Sequence, residues 1–212
     1  VTTAYHMIKM NQSQFIRRLA IIMLEDVVLH ECFPIIIWLT VALSNGYVLN
    51  RVQVKWLLGV VRVLCLIKIK DLPVFEYQKE VRLYDLLNNR YLKLSCKDMS
   101  LLYSMHLRET YGGLKGDKKL LKDFCKVWYY RLKINSGKGL DDDDKGLDDG
   151  YDKTRIIPIS LDLYDLELEH WDLSAIDYHC ASYIIDIIIK KYPEYDSNKI
   201  KKLIWNNSSK IN

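Results

Sequence analysis

The stretch Glu109–Tyr130, ETYGGLKGDKKLLKDFCKVWYY, sets three glycines and five lysines at the start of an amphipathic pattern. Backbone N–H groups at a helix start hold anions, and a lysine meets their charge, so these residue types suit a phosphate cradle. A nucleotide-hydrolysing loop needs GxxxxGK[ST], with its lysine on phosphate and its hydroxyl on magnesium. Gly112–Lys119 has neither the spacing nor the hydroxyl. The expectation is therefore a glycine turn, with Asp117 as N-cap of the helix that follows. Along that helix Lys115, Lys119, Lys122 and Lys126 recur at i, i+4, i+7 and i+11 and form one stripe, with Lys118 at its side. Leu120, Phe124, Val127 and Trp128 supply an apolar stripe for the core. Such a lysine row suits a phosphate backbone; it is also what a plain solvated helix face shows. Tyr111, Trp128, Tyr129 and Tyr130 lie nearby as rings for base stacking or for the core.

Other chemistry-bearing types are scattered. Asp177, His179 and Cys180 are close in sequence, as are His30, Glu31 and Cys32. Zinc sites use paired ligands at set spacing, and neither group has them. Cys180 with His30 or His106 is the candidate Cys–His dyad, and core packing is the default for Cys32 and Cys180. Asp141, Asp143, Asp149 and Asp152 fit a calcium-loop frame with Gly146 at its turn. However, Lys145 occupies a ligand position and the closing glutamate is missing. No catalytic residue, metal or cofactor is expected.

In FIRRLAIIMLEDV, Arg18 and Glu25 are two helical turns apart, flanked by Arg17 and Asp26. Charges set into so apolar a helix are expected to pair and fix packing, because a lone buried charge is costly. Arg17, Arg18, Leu19, Glu25, Asp26 and Val27 also carry a likeness. The segment resembles the one that opens the C-terminal helical, collar-like region of RarA/WRNIP1-type clamp-loader-like AAA+ proteins, which act at stalled replication forks. The likeness spans about 50 residues, and this chain has no ATPase module. What the resemblance implies is a helical, oligomer-forming role in DNA maintenance, without catalysis.

The elements that must position these residues are helical. Half of the 212 residues are hydrophobic, and only 4 prolines and 9 glycines interrupt them. Ser13 is expected to cap a helix through residue 30, Pro34 to open one that Asn45–Gly46 stops, and Asn50 to cap another through residue 68. Further helices are expected near 77–89, 98–108 and 117–132. Ser174 should cap one that Pro193 ends, and Ser197 or Asn198 should open the last. The fold class is all-α: one domain of seven or eight helices, with 1–136 as the body, 137–152 as an acidic low-complexity loop and 153–212 as a C-terminal helical part packed on the body. The loop carries −5 of a net +4, leaving +9 on the rest, a balance that suits a polyanion. Five unpatterned cysteines and no leader point to an intracellular protein of cytoplasm or nucleus. Cys32–Leu43, the most apolar run, is too short to span a membrane.

These features lead to a non-catalytic protein that binds nucleic acid or a replication partner, accessory to DNA replication or repair. The alternative is a structural subunit of a large assembly, a virion or ribonucleoprotein, with a protein partner or homo-oligomer. The Lys/Ile/Asn/Tyr-rich composition suits an A/T-rich genome such as that of a large DNA virus.

Overall fold

The computed structural model describes residues 1–71, 94–135, 176, 178–191 and 193–207, and every structural statement below refers to these. The expected helix at 77–89, the acidic stretch 137–152, Ser174 and Asp177 lie outside them. The fold is all-α: eight α-helices, a 3₁₀ turn and no strand among the described residues.

Local signals explain most boundaries. Helix α1 spans Thr2–Met10 and α2 spans Gln12–Glu25. Asn11 serves both: its N–H donates to Met7 O, and its side-chain oxygen accepts from Gln14 N at 2.9 Å. Ser13, the expected cap, falls inside α2, because Asn11 supplies the oxygen two residues earlier. Helix α3, Phe33–Ser44, has Pro34 at its second residue, where a missing N–H costs no helical bond. It stops at Asn45 and Gly46, the latter at φ +85°. Helix α4, Arg51–Leu66, opens with a capping box in which Asn50 and Gln53 exchange backbone-to-side-chain bonds of 2.9 Å. This reciprocal cap and the burial of Leu57, Leu58 and Leu64 carry its β-branched sequence into a helix.

Helix α5 is Cys96–Thr110, capped by Ser95, and α6 is Lys115–Asn135. Toward the C-terminus the expected continuous helix is broken. Tyr178–Cys180 forms a 3₁₀ turn, and α7 begins only at Ala181 and runs to Lys191. Helix α8, Ser197–Asn207, is capped by Asp196, whose carboxylate accepts from Lys199 N at 2.8 Å; this displaces Ser197 and Asn198 from the expected role.

The chain divides into two compact units: Val1–Arg18 with Ala42–Ile67 and Ser160–Asn212, and Leu19–Val41 with Lys68–Ile159. In the first, α1 packs on α4 and α7, and α8 and the 3₁₀ turn pack on α7. Gln12 accepts from Leu49 N at 3.1 Å and ties the start of α2 to the loop before α4. In the second, α5 and α6 form a tight helical hairpin around Leu101, Leu102, Met105, Leu121, Phe124 and Trp128.

Arg131 of α6 and Asp71 make a two-pronged ion pair at 2.7 and 3.1 Å, each side chain only 2% exposed. The Asp71 N–H donates to Val27 O at 2.8 Å, and the Arg131 guanidinium lies 5.0 Å from the Trp128 ring. Removing one partner strands a buried charge. Asp71→Ala is expected to cost about 3–5 kcal/mol in urea unfolding, and Asp71→Leu with Arg131→Met to recover most of it.

Candidate functional site

The glycine turn between α5 and α6 is built around Arg108. This side chain is 3% exposed, and its Nη1 donates to Gly112 O at 2.6 Å. Gly112 and Gly113 sit at φ +107° and +123°, in the left-handed region that side chains avoid. A Cβ on Gly113 would lie 3.2 Å from Arg108 Nη1. The glycines therefore fold the turn down onto a buried cation, and a carbonyl of the turn faces that cation.

The helix start also departs from expectation. Helix α6 opens at Lys115, with Lys118 N bonding Leu114 O, so Asp117 lies in the first turn and is not the cap. Its carboxylate already meets the positive helix end. An anion at this site is therefore better held by the lysine heads on the helix flank than by free N–H groups at its tip.

At about 100° per residue, Lys115, Lys119, Lys122 and Lys126 fall within roughly 60° of arc, with Lys118 at its edge. Phe124, Trp128 and Arg131 occupy the opposite side and are buried. Leu121, fully buried, takes the core role expected of the half-buried Leu120. Lys115, Lys118 and Lys119 are exposed, while Lys122 and Lys126 are half-buried. Lys115, Lys118, Lys119 and Lys126 form no ion pair among the described residues, whereas Lys122 is engaged elsewhere in the fold. Beyond Lys126 the stripe side of the helix is covered: Tyr130 is 1% exposed, and Lys133, in phase with the stripe, is 8% exposed. The usable cationic face is thus about 16 Å long, eleven residues of helical rise.

The expected stacking rings do not accompany it. Trp128 and Tyr130 are buried in the core. Tyr129 is half-buried and packs edge-to-face on Tyr130 at 5.4 Å, and Tyr111 is half-buried at the end of α5. On α2, Arg17 is exposed and donates to the Ser44 hydroxyl at 3.3 Å, and Arg18, Glu25 and, just past the helix, Asp26 are half-buried.

Of the nucleophile and metal candidates among the described residues, Cys32, Cys180 and His30 are core groups, while Glu31 is half-buried and His179 is exposed. Cys32 and Cys125 are buried, and burial pushes each thiol up to about 12, so neither supplies a thiolate. Cys180 is buried, Cys65 and Cys96 are exposed, and none of the five cysteines forms a disulfide. No three His, Cys, Asp or Glu side chains converge as metal ligands among the described residues. Glu31 pairs with Lys97, and His106 Nδ1 lies 3.2 Å from Glu109.

Four buried charges among the described residues escaped sequence reasoning: Asp71, Arg108, Arg131 and Lys133. For Arg131 a signal was present: it continues the series Leu121, Phe124, Trp128 at helical spacing, which places it on the apolar face. Its partner Asp71, distant in sequence, left no such trace. Compared with protein-family models, curated proteins and solved structures, the chain matches none.

His30 is 1% exposed; its Nδ1 accepts from Cys32 N at 3.0 Å, and its Nε2 has no hydrogen-bond partner. Burial lowers its pKa from 6.5 to about 4. Between those values the unfolded chain takes up a proton that the folded chain refuses, so stability is full above 6.5 and falls as pH drops toward 4. The loss is expected to reach roughly 3 kcal/mol. His30→Asn, which keeps an acceptor for Cys32 N–H, should flatten this part of the urea-stability profile.

Proposed function

We propose that this protein binds nucleic acid without catalysing a reaction on it, through the cationic flank of α6, as an accessory to DNA replication or repair. The observation that carries this reading is the opposition across one helix. Arg131, Trp128 and Phe124 anchor one side in the core, while Lys115, Lys118 and Lys119 stand exposed on the other without carboxylate partners among the described residues. Anchoring removes most of the helix's freedom to rotate, so the ammonium groups are presented together. A row of this length spans about five phosphates of one strand, at 3.4 Å each. The net +9 outside residues 137–152 adds a long-range field of the right sign. The likeness over Arg17–Val27 supports DNA maintenance as the setting.

With three or four phosphates neutralised, affinity for a labelled oligonucleotide should fall roughly 15- to 150-fold between 50 and 200 mM salt. Lys115→Gln with Lys118→Gln and Lys119→Gln should remove most of that dependence, since each lost contact lowers the log–log slope by about one. A salt-independent titration of the unaltered protein rejects the proposal.

A second reading, a subunit of a larger assembly, is favoured by α3. From Cys32 to Asn50 there is no charged residue, and Ile35 and Trp38, one turn apart, are 40% and 56% exposed. On this reading light scattering gives a mass above the monomer's 25.0 kDa, and Trp38→Glu lowers it. A monomer at every concentration excludes self-assembly through this face.

A further inference from the structure

Two exposed aromatic residues of the first unit, Tyr178 and Trp205, meet at the C-terminal helix. Helix α8 is split between two faces. Ile200 and Ile204, one turn apart, are both 0% exposed and hold the helix on α7. Lys201, Lys202 and Trp205 lie on the solvent side, with Trp205 53% exposed. At i+4 and i+3 from the two lysines, the indole is their neighbour on the helix surface.

The 3₁₀ turn brings a second ring to it. Tyr178, 38% exposed, meets Trp205 with centroids 4.7 Å apart and planes at 72°. Exposed His179 continues the row, its ring 6.2 Å from Tyr178. An edge-to-face pair uses one face of one ring and only an edge of the other. With that contact made, Trp205 is still 53% and Tyr178 38% exposed, so both rings present surface to solvent. Ser197–Asn207 contains three lysines and no acid. Lys199 lies over the Tyr195 ring at 4.6 Å, and Lys201 and Lys202 remain exposed beside the indole.

From this juxtaposition we infer that Tyr178, Trp205, Lys201 and Lys202 form a stacking site for an unpaired base, with the lysines on the adjoining phosphates. Base stacking on exposed rings beside cations is the physics of single-strand binding. A duplex keeps its base faces covered and offers the rings nothing. An acidic peptide would satisfy the lysines and leave the rings unused. The inference rests on the nucleic-acid reading for its class of ligand and adds the strand state. It stands on residues that the α6 stripe does not share.

The test uses the full chain in 100 mM salt, with four probes: labelled oligo(dT) of about 12 nucleotides, a duplex of equal length, polyphosphate, which has charge but no bases, and polyglutamate. Trp205→Ala is expected to weaken oligo(dT) binding about 5- to 150-fold, the value of one stacked base, and to leave duplex and polyphosphate binding unchanged. Trp205→Phe should restore most of the loss and Tyr178→Leu should reproduce part of it, which separates stacking from a folding defect. Unchanged oligo(dT) affinity in Trp205→Ala overturns the stacking site; if the α6 triple Lys→Gln variant loses binding in the same assay, the α6 reading stands. The reverse pattern, loss in Trp205→Ala but not in the α6 variant, upholds the stacking site and rejects the α6 reading. Equal weakening on polyphosphate, or tighter binding of polyglutamate than of oligo(dT), also overturns the inference.

Discussion

The buried pair between Arg131 and Asp71 is the constraint on which the second unit turns. Two charges at 2% exposure are tolerated only because each meets the other through two bonds, with the Trp128 ring beside the guanidinium. An apolar face alone would let α6 roll by a fraction of a turn at modest cost, because hydrophobic burial has no direction. A two-pronged hydrogen-bonded pair does not allow that roll. Once Arg131 is directed at Asp71, the opposite side of α6 is fixed as the solvent side, and the lysine row is placed by the same contact.

Arg108 does comparable work at the other end of the hairpin. Its guanidinium donates to the Gly112 carbonyl and lies against the position a Gly113 Cβ would take. In the feature that most resembles a phosphate loop, Gly112 and Gly113 thus serve a left-handed turn closed on an internal cation. Charge is used in two ways within one hairpin: buried and hydrogen-bonded at Arg108 and Arg131, where it sets geometry, and exposed at Lys115, Lys118 and Lys119, where it meets solvent. The enclosure of Tyr130 and Lys133 marks where one use gives way to the other.

The two proposed surfaces differ in the interaction they rely on. Lysines on α6 offer charge without rings, a combination that holds a phosphate backbone and is indifferent to sequence and strand state. The C-terminal helix offers rings beside charge, which responds to exposed bases. They belong to different units and to different helices. Cys32, Cys125 and His30, by contrast, are held neutral by their surroundings and contribute packing.

Helical periodicity, scarce breakers and the caps at Asn50 and around Gly46 were enough to establish an all-α chain and most of its helix positions, because these are local preferences acting over a few residues. The lysine row was legible for the same reason: spacing along a helix is a property of sequence. Cap choice between neighbours such as Asn11 and Ser13 was not, since two side chains competed for the same N–H groups and geometry decided. Nor was the fate of the aromatics. Trp128, Tyr130 and Trp205 carry the same kind of ring, and only tertiary packing put the first two in the core and left the third on the surface. The partner of Arg131 lies 60 residues away. No local rule reaches that far, and a buried ion pair exists only once the chain has brought its two halves together.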